Sequence, residues 1–183
     1  SAFTRHPVAQ EFDGATAVYA ADLDRDGDVD VLGAARYADD VAWWENDGSQ
    51  SFTRHTVDAN FNGAAAVHAA DLDGDGDEDL LAAGIEGNTV AWWENDGAQT
   101  FTRHLISSVF SGAAAVRAVD LDGDGDVDVL GAAQSSSQVA WWENDGTGSF
   151  TAHTIDAAFA SAKAVSAADL DGDGDVDVLG ASV

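Results

Sequence analysis

The densest chemistry in the chain lies in four nine-residue segments where aspartate takes every other place. They are Asp22, Asp24, Asp26, Asp28 and Asp30; Asp71, Asp73, Asp75, Asp77 and Asp79; Asp120, Asp122, Asp124, Asp126 and Asp128; and Asp169, Asp171, Asp173, Asp175 and Asp177. Gathered carboxylates repel. At ~4 Å, two solvated like charges cost roughly 1 kcal/mol, and burial raises that. A fold that collects them needs a cation. The donors are all hard oxygens, which select calcium or magnesium over zinc or copper. The first, third, fifth and ninth positions can each give a carboxylate oxygen, and the seventh its backbone carbonyl. Glycine at the sixth (Gly27, Gly76, Gly125, Gly174) permits a sharp turn. With one water this makes six or seven oxygens in a flexible cage, which suits Ca²⁺ better than Mg²⁺. One Ca²⁺ per segment, four in the chain, would take the formal charge from −27 to −19.

An EF-hand shares the first seven positions but closes with glutamate at the twelfth, between two helices. Here the twelfth residue is Gly33, Ala82, Gly131 or Gly180, and the flanks read as strands. The ninth-position aspartate takes the closing role instead. One such segment could be a solvated acidic turn; four in fixed register, each with glycine at the same place, argue for a metal.

Other polar candidates are weaker. His6, His55, His104 and His153 recur with the repeat, as do Thr4, Thr53, Thr102 and Thr151. A catalytic site is normally built once from unlike residues, so a feature copied in every unit reads as structural. His68 stands alone, its counterparts being Tyr19, Arg117 and Ser166, and reads as a tolerated strand residue. Trp44–Glu45, Trp93–Glu94 and Trp142–Glu143 form a second candidate. If exposed, these rings could stack on sugars while the carboxylates and Asn46 and its copies take the hydroxyls, a lectin-like alternative. The competing reading, which weighs more, makes the tryptophans core wedges. No pair of carboxylates is singled out as a glycosidase would require, and no enzyme is expected.

The elements that position these groups follow from a repeat. Phe-Thr-Arg-His begins at Phe3, Phe52 and Phe101, with Phe-Thr-Ala-His at Phe150; Trp pairs fall at 43–44, 92–93 and 141–142; every spacing is 49 residues. The units run at about 1–49, 50–98, 99–147 and 148–183, the last incomplete, in one repeat domain of under four units. Each unit reads as four strands, for example Ala65–Ala70, Asp79–Ala83, Thr89–Glu94 and Phe101–Ile106, with Asn95-Asp96-Gly97 as a turn. No 3.6-residue apolar stripe persists; Ala-rich stretches such as Gly112–Ala115 could seed a helix but are short and flanked by strand signals. Adjacent strand residues point to opposite faces, so Trp92 and Trp93 should pack toward different neighbours. The predicted fold is all-β: tandem 49-residue four-stranded blades, a β-propeller or propeller-like array whose blades must stack to bury their faces.

Composition narrows function. With 34 acidic against 7 basic residues, the chain would be repelled by nucleic acid and anionic membranes. Without cysteine there is no disulfide, thiolate site or cysteine nucleophile. No apolar run is long enough to span a membrane, and no signal peptide is read. The start at Ser1 leads us to expect a mature product or an excerpt of a longer polypeptide. Hydrophobic residues at 45%, with six Trp, argue against disorder.

The pattern Asp-x-Asp-x-Asp-Gly-x-x-Asp from Asp22, Asp71, Asp120 and Asp169 resembles the calcium hairpin of FG-GAP (VCBS-type) repeats, as in integrin alpha-subunit propellers and many secreted bacterial proteins. The Trp-Trp-Glu-Asn-Asp-Gly segments are similar to those of secreted bacterial members. The resemblance implies a propeller, a calcium ion in the hairpin between the first two strands of each blade, and an extracellular or cell-surface setting. By that pattern Asp71, Asp73, Asp75 and Asp79 are side-chain ligands and Asp77 a main-chain ligand, with equivalents in the other loops. Two departures stand out: such propellers usually have seven blades, and of the Phe-Gly and Gly-Ala-Pro segments only Leu-Gly-Ala-Ala remains (32–35, 130–133). The expected function is structural or adhesive, by self-association into a ring or filament or as part of a longer array, with a protein or glycan ligand as a further possible partner.

Overall fold

The computed structural model describes residues 4–183; Phe3, which opens the first Phe-Thr-Arg-His copy, lies outside them. The described chain is all strand and turn. The first sheet holds β1 (Ala15–Ala21), β2 (Asp30–Ala35), β3 (Asp40–Asn46) and β4 (Phe52–Asp58). The second holds β5 (Ala64–Ala70), β6 (Asp79–Gly84), β7 (Thr89–Asn95) and β8 (Phe101–Ser107). The third holds β9 (Ala113–Val119), β10 (Asp128–Ala133), β11 (Gln138–Asn144) and β12 (Phe150–Asp156), and a last pair is β13 (Ala162–Ala168) with β14 (Asp177–Ser182). Each sheet is an antiparallel meander in chain order. The Ala-rich stretch after Gly112 is strand β9, not helix.

The sheets stack through their faces, and the tryptophan pairs are the pegs. Trp93 and Val67 of the second sheet share a core with Trp43, Leu32 and Val41 of the first. Trp92 and Val90 point the other way, into a core with Trp142, Val116 and Val129 of the third. The two neighbours in sequence therefore serve two interfaces, as strand alternation requires. A third core joins Leu130 and Val139 to Val165 and Ala162 of the last pair.

Successive sheets meet chiefly through their first strands, β1 against β5, β5 against β9 and β9 against β13, with β2, β6 and β10 joining in. These first strands are mostly alanine (Ala64, Ala65, Ala66, Ala69 and Ala70 in β5). Small side chains let backbones of neighbouring sheets approach, which concentrates packing at a common spine. That arrangement fixes the sites: every β1–β2-type hairpin carries its aspartates at one end of its sheet, beside the hairpin of the next.

Candidate metal centre

Each acidic segment links the first two strands of a sheet. At its sixth position the backbone is left-handed, with φ of 95° at Gly27, 93° at Gly76, 101° at Gly125 and 100° at Gly174, which is why glycine recurs there. The turn brings together oxygens of the first, third and ninth aspartates. In Asp22, Asp24 and Asp30 these ligand atoms lie within 4.8 Å of one another, and the same holds for Asp71, Asp73 and Asp79, for Asp120, Asp122 and Asp128, and for Asp169, Asp171 and Asp177. The fifth and seventh aspartates stand outside these groups. The fifth accepts the backbone N–H of the seventh: Asp26 from Asp28 and Asp75 from Asp77, both at 2.8 Å.

The ninth aspartate has a second task. Asp79 is fully buried; its Oδ2 accepts the Leu72 N–H and its Oδ1 the Asn95 N–H, each at 2.8 Å. Asp30 and Asp128 repeat both bonds. One carboxylate thus closes its loop and pins the end of the third strand, with lone pairs left over for a cation.

The electrostatics favour such a cation. Burial pushes the Asp79 carboxyl up to about 7, two backbone N–H groups pull it back, and the charges of Asp73 and Asp75 add to the rise. Asp24, Asp30, Asp73 and Asp128 are raised in the same direction, with burial the leading cause. Asp22 Oδ1 is buried with no hydrogen-bond partner. A desolvated, mutually repelling set of oxygens with an unsatisfied member fits a hard divalent ion.

Two contacts around the loops escaped the sequence reading. Asn95, buried at the end of β7, donates from Nδ2 to the Leu23 carbonyl of the preceding loop and to the Glu78 carbonyl of its own, both at 3.2 Å. Asn144 repeats this toward Leu72 (2.7 Å) and Val127 (2.9 Å). These asparagines fasten the first loop to the second sheet and the second loop to the third sheet. The signal was present in the repeated Trp-Trp-Glu-Asn segment, but a bond spanning 72 residues cannot be read from spacing. The other contact is Arg25, at the fourth position of the first loop where the rest have glycine; it pairs with Asp77 of the next loop at 2.7 Å.

The Trp–Glu candidates are placed otherwise than a sugar site needs. Trp44, Trp93 and Trp142 are buried, packed edge-on against Phe12, Phe61 and Phe110. They offer no stacking platform, and the lectin reading finds no support. Glu45, Glu94 and Glu143 instead each accept a hydrogen bond from His55, His104 or His153 Nε2 (2.8, 2.8 and 2.7 Å). Those imidazoles stack on Trp43, Trp92 and Trp141. His55, His104 and His153 are therefore part of a cross-strand packing motif, whereas His6 is exposed and lies outside the strands.

No curated protein matches this chain by sequence. Its fold is similar to that in the crystal structure of the V. cholerae biofilm matrix protein Bap1, with a TM-score of 0.51 and 22% identity over 96% of this chain. The chain spans 29% of that protein's length. The model for the FG-GAP-like repeat matches residues 22–82, 71–131 and 120–180, three overlapping windows, each running from one acidic loop through the second strand of the next sheet. The chain belongs to the FG-GAP-like repeat family.

Proposed function

We propose that this chain is a calcium-stabilised, non-catalytic repeat array with a structural or adhesive role outside the cell, its sheets acting as propeller-type blades. The observation that carries the reading is the same group of three aspartates, built four times at one end of four successive sheets. Family membership and a fold shared with a biofilm matrix protein support the structural role and the extracellular setting. Among the described residues no helix is long and apolar enough to cross a membrane. In each loop the first, third, fifth and ninth aspartates are the proposed side-chain ligands, with the seventh contributing its carbonyl. Bound calcium supplies the positive charge that lets the loops close.

Gathered carboxylates without an ion oppose folding, so metal binding is coupled to stability. Thermal melting in EDTA should fall well below melting in millimolar calcium, and calcium should restore stability better than equal magnesium. Each ligand set contributing a few kcal/mol, at about 2–4 °C per kcal/mol for a chain this size, predicts a difference above ~10 °C. Identical melts in EDTA and calcium would remove the metal from the reading.

The array is also proposed to extend, either along the same polypeptide or by self-association into a ring or filament. Val18 is 76% exposed, whereas its counterparts Val67 and Val116 are buried between sheets. Leu170 is 62% exposed, whereas its counterparts Leu23 and Leu72 are buried. The two outer faces thus carry the halves of the interface that the interior repeats three times.

A further inference from the structure

In the first two sheets an arginine caps the aromatic corner. Arg54 lies opposite Trp44 in the ladder, and its guanidinium sits 5.8 Å from the Phe12 ring centre. Arg103 lies opposite Trp93, 5.3 Å from the Phe61 ring and 5.8 Å from Trp93 itself. Each also meets a carboxylate: Arg54 pairs with Asp40, and Arg103 with Asp58 at 3.5 Å. The chain therefore builds the same guanidinium-over-aromatic contact twice.

The third sheet keeps the corner and omits the cap. Phe110 and Trp142 stand edge to face at 4.9 Å, close to the 5.2 Å of Phe61 and Trp93. The residue opposite Trp142 is Ala152. A cavity of about 120 Å³ opens there, lined by Phe110, Trp142, Ala152, Ser107, Gln138 and Thr154 among others. Ser107 and Gln138 occupy the places of Asp58 and Asp40. The Gln138 side-chain N–H₂ donates to Thr154 Oγ1 at 3.0 Å, which leaves its carbonyl oxygen as an acceptor.

We infer that this cavity is a binding site for a guanidinium group, presented as an arginine side chain of a partner protein. Two aromatic rings in this mutual arrangement already hold a guanidinium in the preceding sheet of the same chain. The polar rim supplies neutral acceptors, which suit a planar, weakly hydrated guanidinium better than a compact ammonium ion. The net charge of −27 raises the local concentration of any cationic partner. Buried carboxylates are absent from the rim, so binding to an isolated arginine is weak and reversible.

The test uses calcium-saturated protein, so that the acidic loops are already occupied. N-acetyl-arginine amide is titrated against N-acetyl-citrulline amide, its uncharged isostere, with the Trp142 indole followed by NMR. Arginine amide should shift that resonance saturably, and citrulline amide should bind about threefold or more weaker. Ala152→Arg supplies the missing cap from within and should abolish the response. Ala152→Gln, which fills the space without charge, should also abolish it and serves if the arginine variant does not fold. Arg103→Ala should create a second responsive site, read at Trp93. Equal binding of the two amides overturns the proposal. So does an undiminished response in the filled variants, which would place the binding on the acidic surface at large.

Discussion

A single side chain, Asn144, shows how the loops are tied into the stack. Its Nδ2 satisfies the Leu72 carbonyl of one loop and the Val127 carbonyl of the next, and the residue is buried. Asn144→Ala would orphan two carbonyls, at about 1 kcal/mol or more each. We expect a loss of about 2–3 kcal/mol, or ~4–12 °C in melting temperature for a domain of this size. Asn46 is the internal control. It is only half-buried and its Nδ2 reaches just the Val29 carbonyl, so Asn46→Ala should cost less than half as much. Equal losses by differential scanning calorimetry would mean that the bridge between loop and sheet carries no special weight.

At the scale of the strand, most of the fold was legible. The 49-residue spacing fixed the phase of the four strands, the Trp-Trp dipeptide implied two interfaces, and the aspartate alternation located the hairpins. Partners across the stack were not legible. Whether Trp93 meets a sugar or Phe61, or whether Arg25 meets Asp77, depends on which sheets face each other, and no local pattern encodes that. His68 is the clearest case. It reads as a tolerated strand residue, yet the spine sets its ring 4.1 Å from Tyr19 in β1 and beside Arg117 in β9. Burial first, and then the Arg117 charge, push its pKa down to about 4, and its Nδ1 is buried without a partner. The folded protein therefore holds it neutral, while the unfolded chain takes up a proton near 6.5. Its contribution to stability is complete above pH 6.5 and falls away as pH drops toward 4. Because other groups titrate too, the observable is the difference from His68→Phe, which keeps the aromatic contact. In saturating calcium the variant should gain on the native chain by about 3 °C or more between pH 7 and pH 4.5. A constant gap across that range would show that His68 does not feel the spine.

For the whole molecule, two forces compete over association. The exposed Val18 and Leu170 faces match the interface that packs each sheet on the next, and burying them is favourable at roughly 25 cal/mol per Å². Opposing this is charge. The chain carries −27, concentrated in a row of loops near enough for Arg25 of one to reach Asp77 of the next. Two copies would align those rows. On the proposed reading four calcium ions would lower each charge to −19, and at 1 M salt the screening length shrinks to about 3 Å. Association should therefore be least in EDTA at low salt and greatest in calcium at high salt, where both attraction and screening favour it. Light scattering at micromolar concentration reads this directly, and Val18→Asp should return the assemblies to monomers without lowering the calcium-bound melting temperature. Monomers under every condition would rule out docking between copies and leave extension along one polypeptide. Assemblies that dissolve as salt rises would mean that charge, not the blade interface, holds the copies together.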